Sequence, residues 1–286
     1  MKAKVCSMIL SFALFSIISC TKDSAKLDEA TVNLADDDAV SNITFDDITN
    51  TVDYATQILE GILDLGNLKS AAIVADSCPA ITISSLDLVT FPKTITIDYG
   101  TGCTGFYGST RSGKIIISVS DRRNVVNSVC TVTLENYYYN GIKVEGTAEF
   151  KNLGPNTNQN IVISAKLTGG KLTLPDNRYI ERAFDHQREW VKGWDTKDVW
   201  DDECLITGTA SGRTIDGVVY NNTITTGLYW KRVCEFIVSG VVEIDGEGLD
   251  PVYLDFGNGE CDNLATLTRD NVTVGITLKH KHRLIP

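Results

Sequence analysis

The residues best suited to catalysis are acidic side chains and one histidine in the third quarter of the chain. Asp185, His186 and Glu189 come first, and a second acidic group follows at Asp195, Asp198, Asp201, Asp202 and Glu203. Paired carboxylates at a suitable separation catalyse glycoside hydrolysis. An acidic protein also carries such residues on its surface strands and loops, and nothing in the sequence brings two of them together. We therefore predict no catalytic residue, and an exported hydrolase that acts on glycans is the alternative function.

Three of the four tryptophans fall in one short polar segment, at Trp190, Trp194 and Trp200. Their spacing, with Gly193 and charged residues between them, matches neither a clean strand nor an amphipathic helix. Aromatic side chains on an exposed loop can stack on a glycan or anchor a protein interface. The alternative is that the rings pack over the open edge of a sheet. These three residues are the candidate ligand-binding site.

The basic residues indicate neither a nucleic-acid surface nor a metal site. The formal charge is −11, from 26 Lys and Arg against 37 Asp and Glu, and Lys and Arg form no cluster beyond the first few residues, so nucleic acid is excluded as a partner. His280 and His282 alternate with Lys279, Lys281 and Arg283, which would repel a cation. We interpret this segment as a solvated basic tail, and we predict no metal and no cofactor.

The first twenty residues have the features of an export signal. Lys2 and Lys4 precede an apolar run over 5–18, which is shorter than the roughly 20 residues that span a bilayer. The run ends in Ile17-Ile18-Ser19-Cys20, which resembles a bacterial lipobox. We therefore predict a signal peptide over 1–19 and lipidation of Cys20, which would anchor the protein in a membrane of the cell envelope. An ordinary signal peptide with an incidental cysteine is the alternative.

The mature chain is expected to start with a tether and a helix. Residues 20–43 are acidic, with few large apolar side chains, and cannot bury enough surface to offset the entropy of ordering. We predict a flexible acidic tether there. Residues 44–66 have apolar side chains at steps of three and four after a candidate N-cap, Thr44, which predicts an amphipathic helix packed on the main domain.

Residues 78–280 are expected to form an all-β domain. Short β-branched runs with period two are separated by turn residues such as Asn140-Gly141 and Asp245-Gly246, which favour tight hairpins. Successive hairpins predict a large antiparallel meander of about 11 to 14 strands, shaped as a curved sheet, an open barrel or a sandwich.

An internal similarity relates 78–119 to 234–278. Both stretches run from a cysteine through two strands to Asp-aromatic-Gly-x-Gly and a second cysteine, with offsets between landmarks of 156 to 158 residues. The second copy offers calcium oxygens at Asp255, Asn258, Glu260 and Asp262. The first copy has only Asp98, so the shared loop must form without a cation.

The cysteines match this pattern. Six of the eight cysteines lie beyond residue 20, and six cysteines can be paired in 15 ways. The internal similarity favours the pairs Cys78–Cys103 and Cys234–Cys261. Cys130 and Cys204 remain as a possible third pair. Disulfides are typical of exported proteins.

Five stretches resemble a group of uncharacterised envelope lipoproteins of Bacteroidetes-type Gram-negative bacteria: 91–105, 110–117, 188–190, 205–212 and 255–261. The resemblance implies a lipoprotein of the cell envelope and transfers no catalytic residue. We expect the outer membrane as its location. We therefore expect a binding or structural module rather than an enzyme, with a glycan or another envelope protein as the candidate partner.

Overall fold

The computed structural model of the protein describes residues 26–65, 78–84, 87, 89–105, 108–279 and 282. One long helix, α1 (Glu29–Leu65), precedes fourteen strands. The strands are β1 Ala80–Ile83, β2 Lys93–Asp98, β3 Cys103–Thr104, β4 Thr110–Val119, β5 Val129–Tyr139, β6 Ile142–Pro155, β7 Ile161–Thr173, β8 Tyr179–Lys192, β9 Glu203–Arg213, β10 Val219–Lys231, β11 Ser239–Gly246, β12 Val252–Asn258, β13 Leu264–Arg269 and β14 Val272–Thr277. Among the helices described, none combines the length and apolar character needed to cross a bilayer.

The strands form a single antiparallel sheet in chain order. Each strand pairs with its neighbours in the sequence, except that β2 pairs with β4 and the two-residue β3 lies beside β4. Across the described strands the order runs from β1 at one edge to β14 at the other, and the sheet does not close. The prediction of an antiparallel meander with one N-terminal helix is confirmed.

Helix α1 supplies side chains to both parts of the hydrophobic core. Its first turns pack Leu34, Ala35 and Ala39 against β8 to β13. Its later turns pack residues from Val40 to Leu63 against β1 to β8. Strands from both ends of the sheet order also line one cavity together with α1. The sheet therefore curves around the helix, which lies against its inner face.

The prediction of a flexible tether over 20–43 is wrong for residues 29–43, which belong to α1. Asp28 is the N-cap, because its Oδ1 accepts a hydrogen bond of 2.8 Å from the backbone N–H of Thr31. That bond, followed by one from Arg269, lowers the pKa of Asp28 to about 2. Thr44, the predicted N-cap, is a buried residue within the helix, and its hydroxyl donates to the Val40 carbonyl.

The tether prediction failed because the acidic side chains at the start of α1 find partners on distant strands. Asp37 and Asp38 are buried. Asp37 contacts His282, and Asp38 contacts Arg182. The sequence shows a run of charges that favours water, and it does not show the cations that compensate those charges in the folded protein.

The two similar stretches each form a hairpin that is closed by a disulfide. Cys78–Cys103 encloses β1 and β2, and Cys234–Cys261 encloses β11 and β12. Their Cα atoms are 5.7 and 5.1 Å apart, within the range that a disulfide spans. Both predicted pairs are confirmed.

The same Asp-to-Gly hydrogen bond occurs at the end of β2 and within the last residues of β12. Oδ1 of Asp98 accepts from the N–H of Gly100, and Oδ1 of Asp255 accepts from the N–H of Gly257, both at 2.8 Å. Both glycines have positive φ, 55° and 95°, which glycine adopts without a Cβ penalty. The Asp-aromatic-Gly-x-Gly pattern is therefore a turn that leads each chain segment back to its disulfide.

The possible third disulfide is not formed, because Cys130 and Cys204 are free thiols. They lie on β5 and β9, and β6, β7 and β8 separate these strands in the sheet. The predicted signal peptide and the lipidation site Cys20 lie outside the described residues.

Candidate functional site

A cavity of about 510 Å³ lies between α1 and the inner face of the sheet. Its walls come from the middle of α1, from the disulfide hairpin β1–β2 and from the strands β8 and β10 to β12. Cys78, Cys103 and Cys234 are among the wall residues, so both disulfides adjoin the same cavity. The two similar stretches thus contribute to one site, although they are far apart in the sheet order.

Most of the cavity surface is apolar. On the side of the second hairpin the wall contains Ile224, Leu228, Phe236, Val242 and Phe256, and α1 and β2 add further aliphatic side chains. Tyr54 and Trp200 are both wall residues and exposed large aromatics. They therefore mark where the cavity meets solvent. Mostly apolar walls with a few polar groups are typical of small-molecule sites.

Ion pairs join α1 to the sheet beside this apolar surface. Asp38 and Arg182 lie 2.5 Å apart, and the amide of Asn222 donates to the same Asp38 oxygen at 2.8 Å. Arg111 donates to both carboxylate oxygens of Asp47, from Nε at 2.9 Å and from Nη2. Because these contacts fix α1 along its length, the cavity is a preformed space.

Burial shifts the pKa values of two polar wall residues, Asp46 and His186, in the direction that favours their uncharged forms. Burial raises the pKa of Asp46, and Arg188, whose Nη1 lies 3.6 Å from its carboxylate, opposes that shift. Burial, together with the nearby charges of Arg182 and Arg188, lowers the pKa of His186 to about 3. The imidazole is therefore neutral near pH 7 and serves as an uncharged polar group in the wall.

The position of His186 follows from its strand and its neighbours. Its ring stacks on Phe184, with centroids 4.6 Å apart. The facing residue on β9 is Gly208, with φ of 129°, where an added Cβ would lie 2.9 Å from the His186 Cα. Only a residue without a side chain allows β9 to approach this closely. Nε2 of His186 has no hydrogen-bond partner among the described residues.

The three predicted tryptophans do not form one exposed surface. Trp190 is 2% exposed and belongs to the core, and Trp194 packs edge-on against it, with centroids 5.4 Å apart. Arg123 lies 4.0 Å from the Trp194 ring centroid. Trp200 alone is exposed, at 45%, and it lines the cavity. The predicted platform is therefore wrong for Trp190 and Trp194, which pack as part of the domain.

The acidic residues considered for hydrolysis have structural contacts away from the cavity wall. Asp185 lies 3.0 Å from Lys166 on the outer face of the sheet, and Glu189 accepts from the Asn160 amide at 2.7 Å. Asp202 is buried and accepts from Gln57 at 3.1 Å. Of that whole group, only His186 reaches the cavity wall.

His282 is not part of a solvated tail. It is buried, and its Nε2 lies 2.8 Å from Oδ1 of Asp37, whose other oxygen accepts from the backbone of Ile215. His280 falls outside the described residues. The groups of Asp36, Asp37 and His282 lie within 4.8 Å of one another, and within the described ranges this is the one such cluster of three or more His, Cys, Asp or Glu. Asp255, Glu260 and Asp262 form no such cluster.

Known proteins offer no guide to this site. Neither a protein-family model, nor a curated protein, nor a solved structure matches the chain. The function must therefore be argued from the cavity itself.

Sequence reasoning missed the charged residues around the cavity, although part of the signal was present. Period two along β8 places Arg182, His186 and Arg188 on the same face as the buried Trp190. Two arginines on the inner face of a strand indicate anionic partners inside the domain. The partner of Arg182 is Asp38 and that of Arg188 is Asp46, both on α1, and the composition around Asp38 had assigned that carboxylate to solvent.

Proposed function

We propose that the protein is a lipid-anchored binding protein of the cell envelope whose cavity holds an apolar small molecule. The observation that carries the proposal is the cavity of about 510 Å³ with mainly apolar walls. Ligand-binding pockets typically measure roughly 300 to 1,000 Å³ and have such walls. Interiors are otherwise packed with few voids larger than a water molecule, so a space of this size is a feature to be explained.

The surrounding structure is suited to holding a ligand. Two disulfides close the hairpins that contribute to the walls, and buried ion pairs hold α1 in place. A preformed cavity binds with a smaller cost of ordering than a flexible one. Disulfides persist in oxidising compartments, which supports an exported protein.

The envelope location is part of the same proposal and rests on the lipobox-like sequence that ends at Cys20. A lipid on Cys20 would attach the protein to a membrane only eight residues before the N-cap Asp28, and we place it in the outer membrane. Labelling of cells with radioactive palmitate tests the anchor directly. We expect label in the wild-type protein and none in Cys20→Ala; label that persists in the variant would contradict the anchor.

Binding in the cavity is tested with N-phenyl-1-naphthylamine, a neutral apolar probe that fluoresces strongly in apolar surroundings. We expect saturable binding to the wild-type protein. Leu228→Trp places a larger side chain in the wall and should weaken binding by about tenfold or more, which corresponds to about 1.4 kcal/mol.

Leu264→Trp is the matched control, because Leu264 is 59% exposed and outside the cavity wall. It should bind the probe as the wild-type protein does. Absence of saturable binding to the wild-type protein, or equal binding by the two tryptophan variants, would refute the proposed function.

A further inference from the structure

The charged side chains of the cavity wall are arranged in pairs of opposite sign. Two of these pairs lie within the wall itself. Arg111 donates to both carboxylate oxygens of Asp47, and Arg182 lies 2.5 Å from Asp38. A guanidinium that holds a carboxylate in a hydrogen-bonded ion pair satisfies both charges. Neither member of these pairs therefore needs a charged ligand.

Two further wall residues have partners behind the wall. The Asp46 carboxylate lies 3.6 Å from Nη1 of Arg188, and Nη2 of Arg232 lies 3.6 Å from the Asp202 carboxylate. The side chains of Arg188 and Asp202 are 4% and 0% exposed, and neither residue lines the cavity. The charges of Asp46 and Arg232 are thus balanced from inside the domain.

The remaining titratable side chains of the wall leave its interior without net charge. Burial lowers the pKa of His186 to about 3, so the ring is neutral near pH 7. Glu235 is exposed, and water solvates its carboxylate. Among the described wall residues, each Asp and each Arg therefore has an opposite charge beside it.

This pairing makes the cavity unfavourable for an ionised ligand. A charge that leaves water is strongly destabilised unless an opposite charge compensates it, and here the opposite charges are already engaged. A charged head group would enter without a counter-ion or would separate an existing pair. An uncharged chain only exchanges water for apolar wall, which is favourable.

We propose that the ligand of this cavity is an uncharged lipid, and that the paired Asp and Arg side chains of the wall exclude ionised amphiphiles. This inference rests on the proposed function and specifies the ligand class for the same cavity. The apolar chain packs on the wall that contains Leu228 and Phe236, and Tyr54 and Trp200, at the solvent side, flank its entry.

The test compares dodecan-1-ol, dodecanoate and dodecylammonium at pH 7 as competitors of N-phenyl-1-naphthylamine. The three have the same chain, and they differ in the charge of the head group. We expect the wild-type protein to prefer the alcohol to either ion by about tenfold or more, which corresponds to about 1.4 kcal/mol. This comparison needs no variant.

Asp47→Asn tests whether the pairs cause the selectivity. Asp47 and Arg111 both line the cavity and are 17% and 9% exposed, so the substitution leaves a cation with accessible surface in the wall. Dodecanoate should gain, and the preference for the alcohol over the acid should fall by about tenfold, whereas the preference over dodecylammonium should not fall. Asp176→Asn is the matched control, because it opens the exposed pair with Arg178 and should keep both wild-type ratios.

The ratios are measured within each variant, and the melting temperature shows that each variant is folded. If the probe binds but the wild-type protein binds either ion as tightly as the alcohol, the proposal of an uncharged ligand is overturned and the cavity remains. If folded Asp47→Asn keeps the wild-type ratio of alcohol to acid, the pairs are not what excludes anions. If the probe itself does not bind, the proposed function fails as well.

Discussion

Asp38 and Arg182 are 144 residues apart in the sequence and form an ion pair of 2.5 Å inside the protein. Their side chains are 4% and 2% exposed. Asn222 donates to the same oxygen of Asp38 that Arg182 contacts. One carboxylate of α1 thereby joins the helix to β8 and β10 at the cavity wall.

Removing the cation of this pair should be strongly destabilising. Arg182→Met leaves the Asp38 carboxylate buried without its charge partner, and breaking a buried pair in this way costs about 3 to 5 kcal/mol. Urea unfolding measures the loss. Arg178→Met is the matched control, because it removes an arginine from the exposed pair with Asp176, where solvent screens the interaction and little or no loss is expected. Equal losses in the two variants would show that the buried pair does not anchor α1.

The sheet could be predicted from the sequence because its signals are local. Period two and turn residues such as Asn140-Gly141 identify strands and hairpins without any knowledge of the rest of the fold. The first half of α1 could not be predicted in this way. Residues 29–43 are ordered by contacts such as Asp38–Arg182 and Asp37–His282, in which the partners are more than 140 residues apart.

The cysteines should differ sharply in chemistry. Burial raises the pKa of both Cys130 and Cys204 to about 12, so each is a protonated thiol near neutral pH and reacts slowly. We expect iodoacetamide at pH 8 to leave both unmodified in the native protein and to alkylate both in guanidinium. Mass-spectrometric peptide mapping without reduction should find Cys78–Cys103 and Cys234–Cys261. Rapid native alkylation, or a Cys130–Cys204 linkage, would contradict this assignment.

His186 should make the protein less stable in mild acid. Its pKa in the folded protein is about 3, below the ordinary histidine value of 6.5, chiefly because the ring is buried. As the pH falls below 6.5 the unfolded chain takes up a proton that the folded protein does not, so the free energy of unfolding decreases, by up to roughly 1.4 kcal/mol per pH unit.

The matched variant for this prediction is His186→Gln, which remains polar and does not titrate. Carboxylates titrate in both proteins and cancel in the comparison. Urea unfolding between pH 7 and pH 4 should show a steeper loss for the wild-type protein than for the variant, with parallel behaviour above pH 7. Parallel curves over the whole range would mean that His186 is protonated in the folded protein as readily as in the unfolded chain.

The candidate site was only partly accessible from the sequence. Trp200 and His186 were singled out there and do line the cavity. Trp190 was assigned to the same exposed segment, but it lies near the end of β8 on its inner face, so the alternation of that strand buries it. The cavity itself depends on how far the sheet curves around α1, which brings β1 and β12 to a common space, and no local pattern encodes that curvature.

Native mass spectrometry of the protein purified without detergent is the most direct test of the central claim that the cavity holds an apolar small molecule. The wild-type protein and the surface variant Leu264→Trp should each carry a bound amphiphile near one equivalent, which organic extraction releases for identification. Leu228→Trp should have lost most of it. A wild-type protein that shows only its polypeptide mass, and that stays so after incubation with hexadecanoate and hexadecan-1-ol, would contradict the claim.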